Sequence, residues 1–145
     1  MGSLMPKNAA GWIKRVLTPY QVQWDEGDKT GYEADLERKP VQTMEEADVV
    51  SSQMRTFPEG RTHQVILDID HPAWLEPSST EGHYHLYIEV PGGIDHEGYM
   101  ALVALLGHLR IVEPGYAMAS VRRGHTDLRP PWVKKGSEPG RSKTA

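Results

Sequence analysis

Carboxylates and imidazoles lie two or four residues apart in two stretches of this sequence, residues 64–70 and 83–90. The first stretch ends in Asp-Ile-Asp and the second begins with His-Tyr-His. Side chains alternate across a β-strand, so the polar residues of each stretch share one face. If the two strands pair and bury their apolar sides, the polar sides meet on one exposed sheet. Oxygen and nitrogen donors in this arrangement suit a divalent ion, so we predict a Mg²⁺ or Mn²⁺ site. Its candidate ligands are Asp68, Asp70, His83, His85 and Glu89.

A simpler interpretation of these polar residues stays open. Outward-facing positions of an antiparallel sheet are commonly polar, and aspartate and histidine form ordinary cross-strand pairs. Under that interpretation the exposed face is solvated and holds no ion.

Two further segments carry groups that suit phosphate. The predicted connection 71–82 ends in Ser-Ser-Thr-Glu-Gly, and connections of this length are commonly functional, although it also fits a surface loop with Trp74 and Leu75 in the core. Residues 108–145 carry eight basic and three acidic side chains, against eight and 17 in residues 1–107. This basic segment binds phosphates or forms a solvated surface. The candidate phosphate or nucleic-acid ligands are Ser78, Ser79, Thr80, Arg122, Arg123, His125, Arg129 and Lys134.

Three stretches, 67–72, 77–88 and 113–135, resemble a family of small uncharacterised proteins from actinobacteria and their phages. At the level of motifs, a strand ending in Asp-x-Asp, a Ser/Gly-rich turn and a histidine on the next strand resemble the core of archaeo-eukaryotic primases and primase-polymerases. That resemblance implies metal-dependent nucleotidyl transfer, with catalytic roles for Asp68, Asp70 and His85. It also implies a third acid, for which Glu89 or Asp127 would have to serve.

The His83-Tyr84-His85 strand equally resembles the His-hydrophobe-His strand of rolling-circle nicking enzymes. Those enzymes hold one metal with two histidines and cut single-stranded DNA with a tyrosine, here Tyr99 or Tyr116. The usual Tyr-x-x-x-Lys pattern is absent from this sequence. A third hypothesis is a non-catalytic phage accessory module that binds nucleic acid or a host protein through the same face.

The elements that would position these residues follow from apolar periodicity and from turn residues. We predict a helix over 43–55 from the capping-box spacing of Thr43 and Glu46, and a second helix over 95–109. The remaining predicted elements are one or two strands over 12–17 and 20–24, strands over 64–70, 83–90 and 125–129, and a short helix over 116–123. This order predicts an α+β fold of the ferredoxin-like or RNA-recognition-motif-like type, a split βαβ with an antiparallel sheet and both helices on one face.

Composition limits the class of protein. The 145 residues contain no cysteine, which excludes disulfides, thiolate metal sites and cysteine nucleophiles. No apolar run is long enough for a membrane span and the start lacks a secretory pattern, so we expect a cytoplasmic protein with no membrane partner. We predict one domain over 6–135, a cloning remnant at 1–5 and a disordered basic tail over 136–145.

Overall fold

A computed structural model of the protein describes residues 8–23, 37–55 and 62–133. They fall into two compact units that divide between Asp68 and Ile69. Helices and small antiparallel sheets are both present, which confirms the α+β class.

The first unit is a three-stranded antiparallel sheet preceded by a short helix. Helix α1 spans Ala10–Val16, and strands β1, β2 and β3 span Leu17–Val22, Arg38–Pro40 and Val49–Met54. Strand β1 lies in the centre, in the order β2-β1-β3. Its side chains Leu17 and Val22 are buried and form the apolar core of this unit.

The predicted helix over 43–55 is wrong, although the motif that suggested it forms. The Glu46 carboxylate accepts hydrogen bonds from the backbone N–H and the hydroxyl of Thr43, at 3.1 and 2.9 Å. Only one 3₁₀ turn follows, Met44–Glu46, and the chain then enters β3. Val49 and Val50 are β-branched, which favours a strand over a helix, and they lie opposite Tyr20 and Pro19 of β1.

The other predictions for the first unit have mixed outcomes. The strand predicted over 12–17 is largely α1. The strand predicted over 20–24 corresponds in part to β1, which begins three residues earlier and includes Pro19. Residue 24 lies outside the part of the chain that the structure describes.

The second unit begins with a β-hairpin. Strand β4 spans Ala73–Pro77 and strand β5 spans Tyr84–Ile88, in antiparallel register with Leu75 opposite Leu86. The prediction of a strand over 83–90 is therefore confirmed with shorter bounds. The strand predicted over 64–70 is wrong, because that segment forms no ladder and β4 lies in the predicted connection. A six-residue turn, 78–83, closes the hairpin with less loss of chain entropy than the longer connection would need.

Two helices complete the second unit. Helix α2 spans His96–His108, and the Asp95 carboxylate accepts from the Gly98 N–H at 2.7 Å, which confirms the helix predicted over 95–109. Helix α3 spans Pro114–Arg123 and begins two residues earlier than predicted. Proline suits a first helical position because its missing N–H has no partner there in any case.

Helices α2 and α3 approach closely where both carry small residues. A Cβ atom placed on Gly107 would lie 2.4 Å from the Cβ of Ala117. Val103, Ala117 and Ser120 are buried in this contact. Helix α3 ends at Gly124, whose φ of 95° is the left-handed conformation that glycine adopts at no steric cost. The strand predicted over 125–129 is wrong, since these residues have no ladder partner.

The described elements run α-β-β-β-β-β-α-α, which differs from the predicted strand-helix alternation. The described strands form two separate sheets, one of three strands and one of two. Among the residues that the structure describes, no helix is both long and apolar enough to cross a bilayer.

Candidate nucleic-acid interface

The register of the hairpin decides which side chains share a surface. Residues at alternate positions of paired strands point to the same side, so Trp74, Glu76, His85 and Tyr87 form one face, here called the hairpin aromatic face. The opposite face is apolar and includes Leu75 and its partner in β5.

Two aromatic side chains dominate the hairpin aromatic face. Trp74 lies directly opposite Tyr87, and 52% and 37% of their surfaces are exposed. The next pair along the hairpin on this face is Glu76 opposite His85. The face therefore combines flat apolar rings, which can stack, with a carboxylate and an imidazole, which can hydrogen-bond.

The turn at the end of the hairpin is held by its own serine and by an arginine far along the chain. The Ser78 hydroxyl accepts from the Thr80 N–H at 3.0 Å and donates to the Thr80 carbonyl at 3.1 Å. Arg129 Nη1 donates to Ser79 Oγ at 3.4 Å, across a separation of 50 residues. Among the described residues, no carboxylate pairs with Arg129, so most of its five donors remain for a ligand.

A charged cluster follows the end of α3. Asp127 contacts Arg123 Nε at 3.4 Å with one oxygen and His125 Nδ1 at 2.9 Å with the other. Arg123 also donates from Nε to the His125 carbonyl at 3.2 Å. These contacts fold the chain back after Gly124, and they occupy groups that the sequence predicted to bind phosphate.

The two tyrosines considered as nucleophiles hold the same returning segment. The Tyr99 hydroxyl lies 2.7 Å from Thr126 Oγ1, and the Tyr116 hydroxyl donates to the Asp127 carbonyl at 3.1 Å. Both tyrosines are partly buried. Their contacts in this structure are those of side chains that fix 125–129 against α2 and α3.

The structure does not bring the predicted metal ligands together through paired strands. Asp68 and Asp70 are exposed in the segment 64–70, which has no ladder partner. His83 and Glu89 flank β5 on the side of the hairpin aromatic face, in line with His85. Within the ranges that the structure describes, no three His, Asp or Glu side chains are grouped closely enough to hold an ion.

The remaining predicted phosphate ligands are dispersed. Thr80 lies in the hairpin turn, whereas Arg122 on α3 directs Nη2 to the Met118 sulfur at 3.2 Å. Lys134 lies outside the described residues. Of the predicted set, hydrogen bonds join Ser79 with Arg129, Ser78 with Thr80 and Arg123 with His125.

The exposed position of Trp74 was not predicted from the sequence. Its segment, Ala-Trp-Leu-Glu-Pro, alternates as a short strand does, but it lay in the predicted connection 71–82, for which one interpretation was a surface loop with the indole in the core. The alternation of Trp74 and Glu76 against Leu75 was the available signal.

The first unit carries an open depression of about 600 Å³ on its sheet. Ser52 Oγ lies 2.8 Å from His63 Nδ1 there, but the described residues that line the depression include no carboxylate to orient the imidazole. The hairpin of the second unit is therefore the better candidate site. No protein family, curated protein or solved structure matches the chain.

Proposed function

We propose that the second unit binds single-stranded nucleic acid on the hairpin aromatic face. The observation that carries this proposal is the exposed pair Trp74 and Tyr87, side by side on neighbouring strands. Unpaired bases stack on such rings, and each stacked base contributes about 1–3 kcal/mol with little dependence on sequence. Glu76 and His85, the next pair on the same face, provide hydrogen-bonding groups for base edges.

Arg129 supplies the phosphate contact in this proposal. Its guanidinium lies at the hairpin turn beside Ser79. A strand whose bases stack on Trp74 and Tyr87 would have its backbone along the hairpin, with one phosphate within reach of the turn. Arginine presents several donors in a planar fork, which suits phosphate oxygens.

The charge of the second unit sets the kind of binding expected. Residues 69–133 carry four arginines and no lysine, against eight carboxylates. Long-range attraction of a polyanion is therefore weak, and stacking must provide most of the affinity. Since each phosphate contact to a single strand contributes about −0.7 to the slope of log K against log salt concentration, we expect a shallow slope near that of one or two contacts.

Binding without catalysis corresponds to the accessory module among the three sequence-based hypotheses. Metal-dependent nucleotidyl transfer by Asp68, Asp70 and His85, and nicking by a tyrosine, stay predictions. So do the ferredoxin-like arrangement, the resemblance to small actinobacterial and phage proteins, and a host protein as partner. The proposal requires none of them, because it rests on one hairpin and the arginine at its turn.

Fluorescence anisotropy with a labelled ten-nucleotide oligothymidine tests the proposal, with an oligouridine of the same length as a second probe. Trp74→Ala should weaken binding by about 5- to 160-fold, the equivalent of one stacked base. The matched control is Leu75→Ala, because Leu75 is the next residue on the same strand, is also exposed and faces the other side.

Arg129→Ala tests the phosphate contact separately. We expect weaker binding and a salt slope that is shallower by about 0.7. Arg15→Ala on α1 removes the same charge from the first unit and should leave the slope unchanged. Equal losses for Trp74→Ala and Leu75→Ala, or no binding of either oligonucleotide by the wild type, would refute the proposal.

A further inference from the structure

The outer edge of β5 has the composition of a strand that pairs with another strand. Its five residues, Tyr-His-Leu-Tyr-Ile, include no acidic or basic residue other than one histidine, and no proline. Exposed edges of monomeric proteins are commonly protected by lysine, proline or a bulge, because unpaired edges recruit other chains. In the described part of the protein, β5 has only one neighbour, β4.

The hydrogen bonds at the two ends of the hairpin show which backbone groups face outward. Ser78 N–H donates to the His83 carbonyl at 2.9 Å, and Glu89 N–H donates to the Pro72 carbonyl at 3.0 Å. Hydrogen-bonded and non-hydrogen-bonded pairs alternate along an antiparallel ladder. The N–H and C=O groups of Tyr84, Leu86 and Ile88 therefore point away from β4.

We propose that β5 pairs antiparallel with β5 of a second copy of this chain, across a two-fold axis at Leu86. In this register Leu86 lies opposite Leu86 of the other copy, and Tyr84 lies opposite Ile88. Roughly six backbone hydrogen bonds form, and every residue on the apolar face meets an apolar residue. On the other face His85 lies opposite Tyr87, so no like charges oppose each other.

The outer edge of β4 is less suited to pair with β4 of a second copy. The outward-facing positions of β4 are Ala73, Leu75 and Pro77, by the same alternation. Pro77 has no N–H to donate, so a β4–β4 pairing centred at Leu75 would lose two of those bonds. It would also place the charged Glu76 opposite Trp74 of the other copy.

Pairing with a second copy would stabilise the hairpin. A two-stranded hairpin is at best marginally stable in water, and three or more strands with an apolar face are usually required. Leu75 and Leu86 are 41% and 56% exposed, so the apolar face of this hairpin is exposed to water, as the aromatic face is. Pairing two hairpins makes a four-stranded sheet with a continuous apolar row. It also places the two hairpin aromatic faces side by side, a consequence that goes beyond the proposed function and does not depend on it.

A single engineered cysteine tests the register, because the chain has no cysteine of its own. Directly opposite Cα atoms in a hydrogen-bonded pair lie about 5.5 Å apart, within the usual range for a disulfide. Leu86→Cys should therefore form a covalent dimer on mild oxidation. Tyr84→Cys, on the same strand and face, should not, because its counterpart would lie about 14 Å away along the strands.

Light scattering after size-exclusion chromatography tests the association itself. The wild type should be a dimer at high micromolar concentration, and Leu86→Lys should be a monomer because two charges would meet at the axis. Leu86→Glu should also be a monomer, and mixing it with Leu86→Lys should restore the dimer. Leu75→Lys is the matched control, an equally apolar position on β4, which is the outer strand of the paired sheet, and it should remain dimeric.

Three results would overturn the proposal. The wild type could stay monomeric across the concentration range, Leu86→Lys could remain dimeric, or Tyr84→Cys could cross-link as readily as Leu86→Cys. Restoration of the dimer by mixing the two charged variants also shows that each is folded, since unfolded hairpins would not pair.

Discussion

Substitution of Gly107 by alanine should loosen the contact between α2 and α3. The added Cβ would lie 2.4 Å from the Cβ of Ala117, whereas two carbon atoms in van der Waals contact are about 3.5–4.0 Å apart. The helices must separate by more than 1 Å, and overpacking of this kind costs about 1–3 kcal/mol. Alanine has a higher helix propensity than glycine, which offsets up to about 1 kcal/mol of this cost. We therefore expect a net loss of about 0.5–2 kcal/mol in the free energy of unfolding.

The reciprocal substitution gives this prediction its control. Ala117→Gly alone should cost about 2 kcal/mol, from one buried methyl group and from glycine in a helix. In the double variant the methyl group has moved from one helix to the other within the same space, so the losses should cancel to within about 0.5 kcal/mol.

Urea unfolding followed by far-UV circular dichroism measures these changes. Helices α2 and α3 contribute 13 and 10 helical residues against seven in α1, so the signal mainly reports the second unit. Gly11→Ala on α1 is the control for propensity, because nothing lies within 4 Å of its added Cβ. If Gly107→Ala stabilised the protein as a simple propensity change would, or if the two losses merely added in the double variant, the close helix contact would be refuted.

Further predictions concern single contacts. Tyr99→Phe removes the 2.7 Å hydrogen bond to Thr126 and should cost about 0.5–1.5 kcal/mol in the same assay, whereas an unchanged midpoint would show that this bond does not hold the segment. Gly124→Ala places a Cβ at a φ of 95° and should cost about 1–2 kcal/mol, and no loss would contradict the left-handed helix end. The pKa of Glu45 lies below its usual value because of a hydrogen bond from its own backbone and the neighbouring Lys14, 3.2 Å away. A lowered pKa in the folded state adds stability above the unfolded-state pKa, which is lost as the pH falls through the folded-state pKa. By carbon-13 NMR titration, Lys14→Ala should raise the pKa of Glu45 only part of the way, and an unchanged pKa would contradict the contact.

The elements with the strongest periodicity could be predicted from the sequence. Helix α2 has a broad apolar stripe and an aspartate at its N-cap, and β5 alternates over its whole length, so both appear where expected. These local signals are strong enough that no distant contact overrides them.

The wrong predictions came from segments whose local signals conflict. The Thr43–Glu46 motif starts a helix that the following valines cannot continue, because they pair with β1 instead. The apolar segment 64–70 has strand-like composition, but the nearer segment β4 takes the place beside β5. The segment nearer to β5 along the chain is favoured because closing the shorter loop costs less chain entropy, and composition alone does not reveal that preference.

The candidate site was only partly predictable for the same reason. The face that contains His85 and Tyr87 follows from the alternation of β5 alone. The other residues of this face depend on which segment pairs with β5. The sequence predicts Asp68 and Asp70 at positions where the structure has Glu76 and Trp74. Because the strand that pairs with β5 was predicted wrongly, a metal site was predicted where the structure has an exposed aromatic pair.

The most direct test of the central claim is an NMR titration of the nitrogen-15-labelled protein with unlabelled ten-nucleotide oligothymidine. The four tryptophan indole N–H signals report separate positions in the chain. We expect the Trp74 signal to shift progressively to saturation, together with the backbone amides of β4 and β5, while the Trp12 signal of α1 stays in place. An unshifted Trp74 signal at an oligonucleotide concentration of about 1 mM, where even weak stacking would register, would contradict the account.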